Sequence, residues 1–217
     1  MQWDPNTETD LAGYKIYYKT EFSGPIYDGT GALEGDSPID IGDITEFTLH
    51  GLLDGADYFF AVTAYNFEAL ESTYSNEVGA FSVALRQGFN LVSLPVTPED
   101  SSLSALFPDA LAAYEFDGVI QEATHLEPGK GYWVKAPSDQ TYTICGEEFV
   151  GYSATLSEGW HLIGAVHGNA TPLVDPAGAI AVMYGFDEAY YEVSEFSNSQ
   201  GYWVKIQEDC ELVVEAE

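Results

Sequence analysis

The sequence predicts an all-β protein that consists of a β-sandwich followed by two homologous small β-rich modules. The pentapeptide Gly-Tyr-Trp-Val-Lys occurs twice, at Gly131–Lys135 and at Gly201–Lys205. Before it, residues 1–81 contain short runs of β-forming residues separated by turn residues, which is typical of a sandwich. The chain of 217 residues suffices for three domains of roughly 70–80 residues each. We therefore predict domains at residues 1–81, 82–148 and 149–217.

In the first domain, strands are predicted to alternate with tight turns. Gly13–Lys19 alternates with period two, and Tyr58–Asn66 is a long run of β-forming residues. Phe47–Leu49 is predicted to be a short strand, and Ser75–Val78 to begin another. Leu52–Gly55 has the composition of a turn.

Several spaced residues of the first domain match a known pattern. They are Trp3, Leu11–Tyr17, Leu49-x-x-Leu52-x-x-Gly55-x-x-Tyr58, Ala61–Asn66 and Ser72-x-x-Ser75-Asn76-Glu77-Val78. Over residues 3–80 this pattern resembles a fibronectin type III domain. The resemblance implies that Trp3 and Tyr14 fill the core and that Tyr58 bonds back to the backbone near Leu52. It does not by itself imply a function.

The pattern departs from that family at its start. The family's Trp lies on the second strand, whereas only Met1 and Gln2 precede Trp3. The domain would then be N-terminally truncated, which exposes a sheet edge and part of the core. Alternatively, it is strand-complemented, with a strand of another chain filling the gap by β-augmentation. The sequence leaves both interpretations open.

The two modules align over three blocks. The offset is 71 residues between Gly88 and Gly159 and 70 residues between Gly131 and Gly201. The matched blocks are Gly88–Ser93 with Gly159–Gly164, Tyr114–Asp117 with Tyr184–Asp187, and Gly131–Lys135 with Gly201–Lys205. These blocks resemble modules found near the C-termini of secreted, multi-domain bacterial surface proteins. The resemblance implies an extracellular or cell-surface location in bacteria rather than a particular activity.

Each module is expected to be mostly strand. Further strands are predicted at Val119–Ala123, Thr141–Cys145, Tyr190–Val193 and Glu211–Val214. In the first module, Pro98–Phe107 has the capped start of a short helix. In the second, the prolines and glycines of Asn169–Gly178 disfavour a helix.

The charge balance excludes some partners. Thirty-six Asp and Glu face six Lys and Arg, which gives a formal net charge of −30. Such a chain repels nucleic acid and anionic membrane surfaces, and no apolar run approaches the ~18 residues that would predict membrane insertion. The acidic excess fits solubility, adaptation to salt, or binding of Ca²⁺. The clusters that could hold Ca²⁺ are Asp36/Asp40/Asp43, Asp54/Asp57, Glu147/Glu148 and Asp187/Glu188; none has EF-hand spacing.

The repeated pentapeptide supplies the candidate ligand-binding residues. Period-two alternation places Trp133 and Lys135 on one face of a strand, with Tyr132 and Val134 on the other. The same alternation selects Trp203 and Lys205. One interpretation is a sugar-stacking platform beside a cation. The other is that Trp and Tyr form the core of a small sheet, with Lys in solvent.

No constellation of residues predicts catalysis. The sequence has no zinc-binding spacing, no Gly-x-Ser-x-Gly and no phosphate-binding loop, and we expect no cofactor other than Ca²⁺. Cys145 and Cys210 could form a disulfide between the modules or stay free thiols.

The sequence thus favours a non-catalytic structural or adhesion segment of a bacterial surface or secreted protein. Its partners would be other copies of itself or other surface proteins, with self-assembly into filaments by strand donation. The alternative is a carbohydrate-binding accessory module of a secreted enzyme, with polysaccharide as the partner.

Overall fold

The computed structural model describes residues 1–20 and 23–217, and antiparallel strands dominate it. The all-β prediction is confirmed. The chain divides into two compact units, Met1–Ser82 and Val83–Glu217, and the second contains both repeats. In the described part of the chain, no helix is long and apolar enough to cross a membrane.

The first unit is built around a sheet of long strands. Its strands are β1 (Leu11–Thr20), β2 (Ile39–Gly42), β3 (Tyr58–Asn66) and β4 (Val78–Leu85), the last of which continues beyond Ser82. β1 pairs with β2 and β3, and β3 pairs with β4. Ile16 and Tyr18 alternate on one face of β1 and are fully buried against Tyr58 and Phe60. β2 was not predicted from the sequence.

The predicted strand at Phe47–Leu49 does not form. Instead, Gln2 makes an isolated bridge with Glu46, and the amide of Trp3 donates to the carbonyl of Thr45 at 3.1 Å. In the described part of the chain, the backbone of residues 45–47 pairs with the segment 1–3. Self-assembly by strand donation stays a prediction.

Two contacts in the first unit match what the fibronectin type III resemblance implies. The amide of Leu53 donates to the hydroxyl of Tyr58 at 2.9 Å, one residue from the expected position. The rings of Trp3 and Tyr14 meet edge-on with centroids 5.6 Å apart. The first unit consists of antiparallel strands, and its membership of the fibronectin type III family stays a prediction.

The second unit contains two sheets of identical strand order. The first repeat forms β5 (Gly88–Val92), β6 (Val96–Thr97), α1 (Leu103–Leu106), β7 (Ala112–Phe116), β8 (Ile120–Glu122), β9 (Tyr132–Ala136) and β10 (Gln140–Glu148). The second forms β11 (Gly151–Leu156), β12 (Gly159–Gly164), β13 (Leu173–Asp175), β14 (Ile180–Asp187), β15 (Ala189–Val193), β16 (Gly201–Ile206) and β17 (Cys210–Glu215). The sheet orders are β5-β9-β7-β8 and β12-β16-β14-β15. Smaller pairings join β10 to β6, and β17 to β11 and β13.

The repeats differ in the segment that precedes β7 in the first repeat and β14 in the second. In the first, α1 begins after Ser102, whose hydroxyl accepts from the amide of Ala105 at 3.3 Å, so the predicted short helix is confirmed. In the second, the corresponding stretch contains β13 instead. Cys145 and Cys210 are free thiols.

The pentapeptide strands divide their side chains between core and surface. In β9, Tyr132, Val134 and Ala136 are buried, while Trp133 is half-buried and Lys135 is exposed. β16 has the same alternation, except that Lys205 is half-buried. Hydrophobic burial of the Tyr and Val positions therefore turns each Trp towards the outer face of its sheet.

Candidate ligand-binding site

The two repeats contact each other through equivalent residues. The amide of Ser93 donates to the carbonyl of Ser199 at 3.0 Å, and the amide of Gly164 donates to the carbonyl of Gly129 at 2.9 Å. The sequence alignment pairs Ser93 with Gly164 and Gly129 with Ser199. Each repeat therefore gives the other the same contact that it receives, as in an isologous two-fold interface.

Glycine at the start of each pentapeptide permits this close approach. A Cβ on Gly131 would lie 2.8 Å from the carbonyl oxygen of Ile163, and one on Gly201 would lie 2.8 Å from that of Val92. The Cβ on Gly201 would also lie 3.2 Å from the Cα of Gly131. The repeated glycine thus serves backbone-to-backbone contact between the repeats.

Each repeat also inserts a phenylalanine beside the tryptophan of the other. Phe116 meets Trp203 edge-on with centroids 4.9 Å apart, and Phe186 meets Trp133 with centroids 4.8 Å apart. The two pairs are equivalent in the alignment, and such T-shaped pairs are a favoured aromatic geometry. They join the outer faces of the two long sheets into one aromatic surface.

This aromatic surface contains two open grooves of similar size. Groove 1, about 450 Å³, is lined by Phe89, Tyr114, Ile120, Trp133, Phe186 and Tyr190. Groove 2, about 460 Å³, is lined by Phe116, Trp160, Tyr184, Tyr190 and Trp203. Both linings consist almost wholly of carbon atoms. Since Tyr190 belongs to both, the grooves adjoin.

A lysine stands beside each groove. Nζ of Lys135 lies 5.5 Å from the ring centre of Phe89, and Nζ of Lys205 lies 6.0 Å from that of Trp160. Within the described residues, neither ammonium has a carboxylate in ion-pair range, whereas Lys15, Arg86 and Lys130 each have one. Both lysines therefore keep N–H donors for a ligand.

The structure extends the set of residues that the sequence singled out. Trp133 lines groove 1 and has Lys135 beside it, whereas Trp203 lines groove 2 and has Lys205 beside it, so the two pairs do not form one site. The other lining residues are not among those that the sequence singles out. Two aligned blocks could have indicated them: Tyr-x-Phe-Asp for Phe116 and Phe186, and Gly-aromatic for Phe89 and Trp160.

A tyrosine supports each groove from the buried side. The hydroxyl of Tyr132 accepts from the amide of Glu127 at 2.9 Å, and that of Tyr202 accepts from the amide of Ser197 at 2.8 Å. Burial raises the pKa of both phenols above the ordinary value. These bonds hold the loop before β9 and β16 against the strand that carries each Trp.

Several carboxylates of the acidic clusters already bind other groups of this chain. Oδ1 of Asp40 accepts from the amide of Gly42 at 3.0 Å and from the hydroxyl of Tyr65 at 2.9 Å. Glu148 contacts His167 at 2.5 Å, and Asp187 pairs with Arg86. No group of three or more His, Cys, Asp or Glu in residues 1–20 and 23–217 is arranged to hold a metal ion. Binding of Ca²⁺ stays a prediction.

Comparisons with known proteins found no match to this chain among family models, curated proteins or solved structures. The two family resemblances therefore stay predictions. The function is argued from the geometry of the grooves.

Proposed function

We propose that this chain is a non-catalytic extracellular segment of a bacterial surface or secreted protein, and that its second unit binds carbohydrate. The proposal is carried by the pair of aromatic grooves with an unpaired lysine beside each. The extracellular bacterial location is supported only by the resemblance of the repeats to modules of such proteins. Adhesion through these grooves would combine the function that the sequence favours, a structural or adhesion segment, with its alternative, carbohydrate binding.

The chemistry of the grooves suits a sugar ring. A pyranose presents C–H groups on its face and hydroxyls around its edge, so the face can pack on an aromatic ring while the edge stays hydrated. An open groove allows both at once. The ammonium groups of Lys135 and Lys205 can donate hydrogen bonds to hydroxyl or ring oxygens. A mostly apolar lining with a few polar groups is the usual composition of a small-ligand site.

The exposure of the lining residues supports a binding role. Phe89 is 48% exposed, Trp160 41% and Tyr190 57%. A contiguous apolar surface of this kind is unfavourable in water and commonly marks an interaction site. A ligand that covers these rings would remove them from water and gain the free energy of burying apolar surface.

The same surface supports a second candidate, association with another copy of the chain or with another surface protein. Exposed aromatic rings favour protein contacts as well as sugars. The two candidates differ in what removes the exposed rings from water. Oligomeric state measured by light scattering separates them, because a Trp160→Ala change would dissociate an assembly held by the aromatic surface.

A glycan array, run once with Ca²⁺ and once with EDTA, tests carbohydrate binding. We expect the wild-type chain to retain at least one class of glycan and the Trp133→Ala/Trp203→Ala double variant, altered in both grooves, to lose most of that signal. Phe67→Ala serves as the matched control, because Phe67 is an exposed aromatic residue of the first unit. An array without signal in either condition, for a folded protein, would contradict the proposal.

A further inference from the structure

We infer that the two grooves are two sites for one kind of ligand, a neutral linear polysaccharide with flat ring faces, and that long chains occupy both sites at once. This inference rests on the proposed carbohydrate binding, and it specifies the ligand class and the number of sites. It follows from the equivalence of the grooves, their contact with each other, and the charge of the protein.

Five lining positions of groove 1 have an aligned counterpart in groove 2, and the sixth residue of groove 1, Tyr190, lines both grooves. The alignment pairs Phe89 with Trp160, Tyr114 with Tyr184, Trp133 with Trp203, and Phe186 with Phe116. The largest difference is that Tyr190 in the second repeat corresponds to Ile120 in the first. The volumes are about 450 and 460 Å³. Two apolar sites that share Tyr, Trp and Phe at three aligned positions should accept the same kind of ligand.

The grooves adjoin at Tyr190. A ligand with one sugar unit can fill only one groove at a time. A polymer carries the same unit many times, so it can leave one groove and enter the next. The second contact is then intramolecular, and linked sites of this kind gain about 10²–10⁴ in apparent affinity when the geometry permits both contacts.

The two-fold relation also limits how the ligand is recognised. Along one polysaccharide chain that crosses both grooves, the second groove has the opposite orientation to the first. A polysaccharide has a direction, so a site that recognised it by a polar hydrogen-bond pattern would accept one orientation only. The linings have almost no polar atoms, and therefore contact ring faces, which look alike in either direction.

Charge and lining together define the class of sugar. The chain carries a formal net charge of −30, so an anionic polymer is repelled at separations up to the Debye length, about 8 Å at physiological salt. An axial hydroxyl would press an oxygen against carbon atoms with no partner, which is unfavourable. Neutral rings with equatorial substituents, whose faces carry only C–H groups, fit both conditions.

Isothermal titration of the full chain with β-1,4-linked glucose and N-acetylglucosamine oligomers of increasing length tests the inference. For the shortest oligomer that binds, we expect two sites per chain. Longer oligomers should bind with one ligand per chain and at least tenfold higher affinity. A carboxymethylated polymer should bind more weakly, with a deficit that shrinks as salt is added. An α-1,6-linked mannan, which carries an axial hydroxyl at C2 of every ring, should not bind.

Single-groove variants provide the controls. Phe89→Ala and Trp160→Ala alter exposed rings in grooves 1 and 2, and each should reduce short-oligomer stoichiometry from two to one and remove the gain with length. Phe67→Ala should change neither. One site per chain at every length, or a variant pair in which only one groove matters, would overturn the inference while leaving carbohydrate binding intact. If glycans on the array bind but none of these oligomers does, the ligand class is wrong; if no glycan binds, the proposed function fails as well.

Discussion

The two repeats of the second unit make the same backbone contacts with each other, but their open grooves differ at two aligned positions. Their contact is reciprocal: a Cβ added to Gly131 or to Gly201 would lie 2.8 Å from a carbonyl oxygen of the other repeat. On the aromatic surface, by contrast, Phe89 stands where the second repeat has Trp160, and Ile120 stands where it has Tyr190. The shared interface constrains backbone geometry, whereas an open groove accepts any ring or apolar group of suitable size.

The largest effect should come from breaking the reciprocal interface. We expect Gly131→Ala and Gly201→Ala each to lower the free energy of unfolding by about 1–3 kcal/mol, because the new methyl meets backbone that cannot rotate away. Chemical denaturation of the full chain followed by tryptophan fluorescence measures this. Gly151→Ala is the control, and we expect it to lower the free energy of unfolding by less. A Cβ on Gly151 would lie 3.2 Å from the carbonyl oxygen of Val214 and 3.3 Å from the flexible side chain of Glu215. A large loss at only one of the two glycines would contradict the reciprocity.

Removing the hydroxyls of Tyr132 and Tyr202 should lower the free energy of unfolding by less than the glycine substitutions do. The loss should be equal in the two repeats. Tyr132→Phe and Tyr202→Phe each deprive a backbone amide of its acceptor, and we expect a loss of about 1 kcal/mol in the same denaturation experiment. Tyr190→Phe is the control, because its hydroxyl is on a side chain that is 57% exposed. If Tyr190→Phe destabilised the protein as much as the other two, the bonds to the loops would not be the cause.

These two tyrosines also predict a loss of stability in alkali. Burial raises the pKa of Tyr132 and Tyr202, so the folded state retains their protons after the unfolded state, with its pKa of about 10, has released them. Their contribution is complete below pH 10 and is lost as the pH rises through the folded pKa. Unfolding free energies measured between pH 8 and 11 should therefore fall above pH 10, and less steeply in the Tyr132→Phe/Tyr202→Phe double variant. An unchanged slope in that variant would assign the effect to other groups.

The smallest effect on stability should come from making the grooves identical. Phe89→Trp and Ile120→Tyr change residues that are 48% and 63% exposed, and we expect unfolding free energies within about 0.5 kcal/mol of wild type. The double variant should bind short oligomers at two sites of equal affinity, measured by titration. If the sites differ in the wild type and stay equally different in this variant, the two exchanged positions do not set groove affinity.

The sequence permitted accurate prediction of local features. The observed strand Tyr58–Asn66 has the predicted bounds, and the short helix Leu103–Leu106 forms within the predicted stretch Pro98–Phe107. Both follow from residues close together in the chain. The strand predicted at Phe47–Leu49 was wrong because β-forming residues make a strand only where a partner strand runs alongside. β11 was not predicted, and it pairs with β17 at the far end of the repeat.

The sequence by itself determined the duplication and the two faces of each pentapeptide strand, because identity and period-two alternation are local properties. It singled out Trp133, Lys135, Trp203 and Lys205 on that basis. Only the tertiary structure decided that the two tryptophans line two adjoining grooves with a lysine beside each, and that a phenylalanine of the other repeat completes each groove. That arrangement depends on two sheets meeting across glycine contacts, and such a contact between distant segments leaves no periodic pattern in either one.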